Sequence, residues 1–272
     1  KMKPFIRNLL RMSVYQIKYM DAVPDSAVCN EAVKLAKRHK FAQLSGFVNG
    51  VLRNIARNID SVQLDTLSIR YSMPQWIVDR FVAAYGSEKA EEIFKAFHSK
   101  STISIRTNLI RCTPDELRTM LEAEGVTVTP VDELNYAFII SGFDYLNGLQ
   151  SFRDGLFYVQ DISSMLVAQT AAPKNGDYVI DVCAAPGGKS THIAELLQGS
   201  GHVLARDLTD TKVGMIEENI DRHGLNNMSS EVWDATVADT ESVGKADILI
   251  CDLPCSGLGV LGRKKDIRYK MT

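Results

Sequence analysis

Apolar positions recur at helical spacing through most of the first hundred residues. Phe5, Ile6, Leu9, Leu10, Met12, Ile17 and Tyr19 predict a helix over 4–20. Pro24-Asp25-Ser26 reads as a turn with an N-cap, and a helix over 26–38 follows. A third helix, over 43–58, presents Phe47, Val48, Val51, Leu52 and Ile55. No strand signal precedes residue 60, so this segment is predicted to be all helical. Helical spacing resumes over 75–84 behind Pro74, a good first-turn residue, and again over 88–97. The period then changes. Ile103-Ser-Ile-Arg-Thr-Asn108 alternates like a strand, and Thr113-Pro-Asp-Glu116 is a capping-box start for a helix ending at Gly125. Segments 126–131, 136–140 and 155–159 read as further strands, so 102–160 makes a small α+β module of βαββ order. From 178 strands alternate with helices: 178–184, a helix from about 190, 203–207, a helix near 211–223, 230–233 and 248–252. That alternation implies a doubly wound parallel sheet.

Length and composition narrow the class. A chain of 272 residues holds one to three domains. Its longest uncharged apolar stretches fall short of the ~20 residues that a membrane helix needs, so no membrane partner is expected. Five widely spaced Cys form neither a disulfide framework nor a CxxC zinc pattern, which favours a reducing, cytoplasmic setting and no metal. The net charge of −2 hides an asymmetry. Residues 1–60 carry 11 Lys and Arg against 4 Asp and Glu, while the remainder carries 20 against 29. A basic segment on an acidic body can be a nucleic-acid handle. The plainer reading, which charge alone favours, makes Lys34, Lys37, Arg38 and Lys40 the wet face of a helix. Arg263, Lys264, Lys265, Arg268 and Lys270 form a second cluster.

The candidate chemistry lies in Asp181-Val-Cys-Ala-Ala-Pro-Gly-Gly-Lys-Ser190, at the end of the first parallel strand and leading into a helix. That is where an open α/β sheet binds its ligand. Gly187 and Gly188 let the backbone approach a ligand closely, and the helix start offers free N–H groups to a carboxylate or phosphate. Gly188-Lys189-Ser190 fits the end of a P-loop, but Cys183 stands where the first Gly is needed. A dinucleotide fingerprint is absent. A nucleoside-bearing ligand held by one short Gly turn remains. Asp207, 19 positions after Gly188 at the end of the second strand, stands where a carboxylate commonly holds ribose hydroxyls, or else caps the next helix.

Cys183-Ala-Ala-Pro-Gly-Gly-Lys189 together with Asp252-Leu-Pro-Cys-Ser-Gly257 resembles the RNA cytosine-5 methyltransferases that use S-adenosylmethionine. Within them the chain is most similar to the bacterial small-subunit ribosomal RNA methyltransferase B (RsmB/Sun) group. Asn30-Glu-Ala-Val-Lys34 and Gly46-Phe-Val-Asn-Gly-Val-Leu-Arg53 resemble the later helices of that group's NusB-like RNA-binding domain. Residues 102–160 resemble its small RRM-like module, with Arg106-Thr-Asn108 matching a family motif. The resemblance implies three parts: 1–60, a partial NusB-like helical domain; 61–160, a helical linker and the RRM-like module; and 161–272, the first part of a Rossmann-like α/β methyltransferase domain. It also implies small-subunit ribosomal RNA as partner, and we expect a monomer.

For the site, the resemblance implies that Cys183, Ala184, Ala185, Pro186, Gly187, Gly188 and Lys189 cradle the methionine end of S-adenosylmethionine. Asp207 would take the ribose, Asp234 would lie near the adenine, and Asp252 would sit beside the transferring methyl and the base. Arg106, Asn108, Arg263, Lys264 and Lys265 are the implied RNA contacts. Cytosine C5 is a poor nucleophile, so such an enzyme first adds a thiolate to C6. In this family that thiolate belongs to a Thr-Cys motif after the Pro-Cys one, and Cys255 assists product release; the plain alternative for Cys255 is an inert buried thiol. No later Thr-Cys precedes Thr272, which predicts a fragment that does not turn over by itself. The same gap predicts four parallel strands with one open, apolar edge. Cys183 and Cys251 read as packing residues. Lys264-Lys265-Asp266-Ile267 lacks the Pro that usually precedes the Asp. The alternative function is a non-catalytic RNA-binding or assembly protein. An amino-group methyltransferase fits poorly, because Asp252-Leu-Pro-Cys255 has no aromatic residue to hold a planar NH2.

Overall fold

In the computed structural model, residues 2–61, 65–99 and 102–270 are described; Lys1, counted above in the basic segment, lies outside them. The chain forms two compact units, Lys1–Lys95 and Ala96–Thr272.

The first unit begins with α1 (Pro4–Tyr19), α2 (Asp25–Arg38) and α3 (Ser45–Asn58). Ile6, Leu9 and Leu10 of α1 pack on Cys29, Ala32 and Ala36 of α2 and on Val48 and Leu52 of α3. The small side chains of Ala32 and Ala36, one turn apart, allow the helices to approach closely. Burying each large aliphatic side chain stabilises the unit by about 1.5–3 kcal/mol. Lys34, Lys37, Arg38 and Lys40 are exposed, the first three on α2 and Lys40 in the turn just past its end. A short α4 (Leu67–Arg70) leads to α5 (Gln75–Tyr85) and α6 (Ser87–His98). Here Phe94 packs on the rings of Tyr71 and Phe81, at 6.0 and 5.4 Å.

The second unit opens with β1 (Ile103–Thr107), α7 (Pro114–Ala123), β2 (Thr127–Val131), β3 (Leu134–Ser141), α8 (Gln150–Arg153) and β4 (Phe157–Val159). The strands lie antiparallel in the order β2-β3-β1-β4, so the expected βαββ module is βαββαβ, a ferredoxin-like arrangement. One turn of helix is too short to show a period, which is why α8 escaped the sequence. The predicted capping box is present: Glu116 N–H donates to Thr113 Oγ1 and Thr113 N–H to Glu116 Oε2. One sheet face, with Ile105, Phe138, Ile140 and Phe157, packs on Leu117 and Leu121 of α7.

Next come α9 (Ile162–Ala171), β5 (Tyr178–Asp181), α10 (Gly188–Leu196), β6 (His202–Asp207), α11 (Asp210–His223), β7 (Met228–Val232), β8 (Ile248–Ile250) and α12 (Ile267–Lys270). The four strands are parallel, in the order β7-β6-β5-β8, a doubly wound Rossmann-like sheet. Its core joins Val179, Val203 and Ala205 to Ile193 and Ala194 of α10, Leu197 at its C-terminal end and Ile216 of α11. α9 escaped prediction because its polar residues, Ser163, Ser164, Gln169 and Thr170, are spread around the helix and leave no amphipathic period. β5 and β8 end earlier than expected because the chain leaves the sheet at Asp181 and Ile250. The boundary expected at 160 falls inside one compact unit. Among the described residues no helix is long and apolar enough to cross a membrane.

Candidate functional site

The loop between β5 and α10 is held at almost every residue. Cys183 N–H points to Asp181 Oδ1 at 3.4 Å, Ala184 N–H donates to Arg206 O at 2.8 Å, and Ala185 N–H donates to Asp207 Oδ2 at 3.0 Å. Pro186 O accepts from Tyr158 Oη and from Asn219 Nδ2. Gly187 has φ +103°, a left-handed conformation in which a side chain would be strained. Gly188 answers a different need: a Cβ there would lie 3.2 Å from Tyr158 Cε1. The first N–H groups of α10 have no intrahelical acceptor and face the loop's end.

Carboxylates surround this loop. Asp181, 1% exposed, accepts from Ser190 Oγ at 2.6 Å, and its burial raises its pKa. Asp207, 3% exposed, also accepts from Leu208 N–H and from Lys212 Nζ at 2.8 Å. Burial pushes its pKa up, but the bonds from Lys212, Leu208 and Ala185 outweigh this and hold it low. Across the mouth Lys189 Nζ meets Asp252 Oδ2 at 2.5 Å. Lys189, Asp252, Asp181 and Gln160 line one cavity with the loop. Gln160 Nε2 is buried in it without a hydrogen-bond partner. Helix-start donors, a buried carboxylate and an unpartnered amide together suit a ligand with both an anionic and a cationic end.

Residues 168–272 match the 16S rRNA methyltransferase RsmB/F family, residues 1–57 the NusB family, and residues 73–143 the ferredoxin-like domain of RsmF/B-like methyltransferases. The chain is 39% identical, over 99% of its length, to the probable ribosomal RNA small subunit methyltransferase B of Bacillus subtilis. It is 32% identical, over its whole length, to that of Synechocystis. The chain belongs to the RsmB/F family. It spans 62% and 63% of the length of those two relatives. Among solved structures, that of PH0851 is 25% identical with a TM-score of 0.79, covering 100% of this chain and 62% of that one. A methyltransferase homolog from Pyrococcus horikoshii is 25% identical with a TM-score of 0.61, covering 74% of this chain and 66% of that one. NSun6 from Pyrococcus horikoshii, solved with SFG, shares the fold at 22% identity and a TM-score of 0.62, over 68% of this chain and 71% of that one.

In this RsmB/F chain, two expected RNA contacts must be corrected. Arg106 is 1% exposed: it pairs with Glu195 of α10 and donates to Thr191 Oγ1 and Gln160 Oε1. Asn108 is 0% exposed and donates to the carbonyls of Gly155 and His223. Neither reaches solvent: Arg106 is turned from β1 toward Glu195 of α10, while Ile105 packs with α7, and Asn108, just past β1, is covered by Gly155 and His223. Arg263, Lys264 and Lys265 are exposed, and Arg263 pairs with Asp161 at 2.5 Å. Arg268, counted in the same basic cluster, is buried and donates to Leu261 O. Cys251, read as a packing residue, is exposed, as is Cys255. Cys183 is half-buried, and burial followed by Asp207 and Asp181 raises its thiol pKa. Asp234 is exposed in the turn after β7 and accepts from Thr236 N–H and Oγ1.

Sequence reasoning missed Tyr158, Gln160, Lys212 and Asn219 as parts of the site, and gave Asp181, though within the stretch singled out, no role. Asp181 carried a signal, since it stands at the strand end directly before the loop. Tyr158 and Asn219 carried none, because they meet the loop only through tertiary packing.

Proposed function

We propose that this chain is part of an enzyme that methylates C5 of a cytosine in small-subunit ribosomal RNA with S-adenosylmethionine. The observation that carries the reading is the Cys183–Lys189 loop, pinned over β5 with Asp252 of the Asp-Leu-Pro-Cys stretch paired to Lys189 at its mouth. The residues present fit the cofactor. The α10 N-terminus and Lys189 suit its carboxylate, Asp181 its ammonium, Asp207 the ribose, and Asp234 the adenine side. Bound there, S-adenosylmethionine supplies an electrophilic methyl group. The chain's own residues place it: the pinned loop leaves little backbone reorganisation to the moment of binding. Asp252, with its side chain 59% exposed, accepts a hydrogen bond from the base, and Lys189 orients that carboxylate. Cys255, three positions on, assists release of the methylated base in this reading. The exposed basic side chains of the first unit, with Arg263, Lys264 and Lys265, hold RNA by phosphate contacts.

The test uses small-subunit RNA labelled with tritium at cytosine C5. Tritium release matched by 5-methylcytidine supports the reading. Methylation without tritium release would move the acceptor to the amino group. RNA binding with no methylation by the full-length protein would favour a non-catalytic assembly role, which the two exposed basic regions also accommodate.

A further inference from the structure

The loop that bears the cofactor chemistry is gripped from outside the parallel sheet. Pro186 O, at the loop's tip, accepts from Tyr158 Oη at 3.1 Å and from Asn219 Nδ2 at 2.9 Å. Tyr158 comes from β4 of the ferredoxin-like module and Asn219 from α11. Both donors are themselves fixed. Asn219 Oδ1 accepts from Arg222 Nη2 at 2.6 Å; a guanidinium only donates, so the amide must turn its NH2 toward Pro186. That NH2 also reaches Met215 O at 3.0 Å. Arg222 in turn lies over the Phe152 ring at 4.4 Å and near the Tyr158 ring at 5.7 Å. Tyr158 is 5% exposed, and its ring edge fills the space that a side chain at Gly188 would need.

We propose that Tyr158 and Asn219 are positioning residues that clamp Pro186 O, so that the ferredoxin-like module, through Tyr158, and α11, through Asn219, together set the geometry of the cofactor loop. The proposal rests on the reading of that loop as the cradle of the methionine end. Losing one donor lets the tip move and blurs the alignment of the helix-start N–H groups. The adenosine end, bound beyond β6 and β7, feels this less.

Calorimetry on the purified protein tests it with two ligands, S-adenosylhomocysteine and 5′-methylthioadenosine, the second lacking the amino-acid end. Tyr158→Phe keeps the ring packing and removes one hydrogen bond; Asn219→Ala removes the other. Each is expected to weaken S-adenosylhomocysteine about threefold to fivefold, and the pair more than tenfold, on the scale of a lost hydrogen bond. Binding of 5′-methylthioadenosine should change less than about twofold. Equal losses on both ligands, or a lowered Tm with both affinities intact, would make the contacts scaffolding and overturn the clamp. Failure of the unmutated protein to bind either ligand would overturn the cofactor reading itself, and the clamp with it.

Discussion

Asp252 and Cys255 stand on an exposed stretch after β8, and their roles separate by substitution. In the full-length protein, Asp252→Ala should abolish methyl transfer, because the contact to the base and the ion pair to Lys189 disappear together. Transfer at the unmutated rate would remove Asp252 from the chemistry. Cys255→Ala, again in the full-length protein, should leave the attack on C6 intact and slow release. A protein–RNA adduct resistant to denaturant should then accumulate as a slow gel band. Loss of all adduct would instead make Cys255 the attacking thiol. At this scale the motif residues were legible because their chemistry is local: a Gly turn and a strand-end carboxylate announce themselves in order. Arg106 was misread for the opposite reason. It was expected at RNA from a motif resemblance, and a motif says nothing of whether a carboxylate eighty-nine positions away will cover the cation.

The contact of β1 with α10 is the element-scale consequence. Arg106 and Glu195 are 1% and 2% exposed at their side chains, so removing either partner strands a buried charge. Arg106→Ala or Glu195→Ala should cost about 3–5 kcal/mol in urea denaturation. Arg106→Met combined with Glu195→Leu should recover most of that, since apolar replacements of similar size leave no charge behind. A double variant as weak as the singles would mean that geometry, and not charge, is what the pair supplies. Elements with a strong period were legible: α1, α2, α3, α7 and α11 lie within two residues of expectation. α9 and α8 were not, the first having no polar face and the second being a single turn.

For the molecule as a whole, two buried histidines give the second unit a defined acid sensitivity. Burial, then Arg106, holds His192 down to about 2; burial, then Arg222, Arg106 and Arg111, does the same for His223. Above the ordinary value of 6.5 both folded and unfolded chains leave these rings neutral, and pH has no effect through them. Below it the unfolded chain takes up two protons that the folded chain refuses. Stability therefore falls as pH drops from 6.5 toward 2, by about 1.4 kcal/mol per pH unit for each histidine. Urea denaturation followed by Trp233 fluorescence in a Trp76→Phe background should show about 2–3 kcal/mol less stability at pH 5.5 than at 7.5. His192→Leu should roughly halve the loss. An unchanged slope would mean that the ring is solvated. The sequence by itself determined the succession of helical, α+β and parallel-sheet parts, together with the loop and its strand-end carboxylates, because periodicity and turn chemistry act over a few residues. Only the tertiary structure decided which polar groups face each other. The burial of Arg106 and Asn108 and the grip of Tyr158 and Asn219 on the loop arise from packing between segments far apart in the chain. No local pattern records that packing.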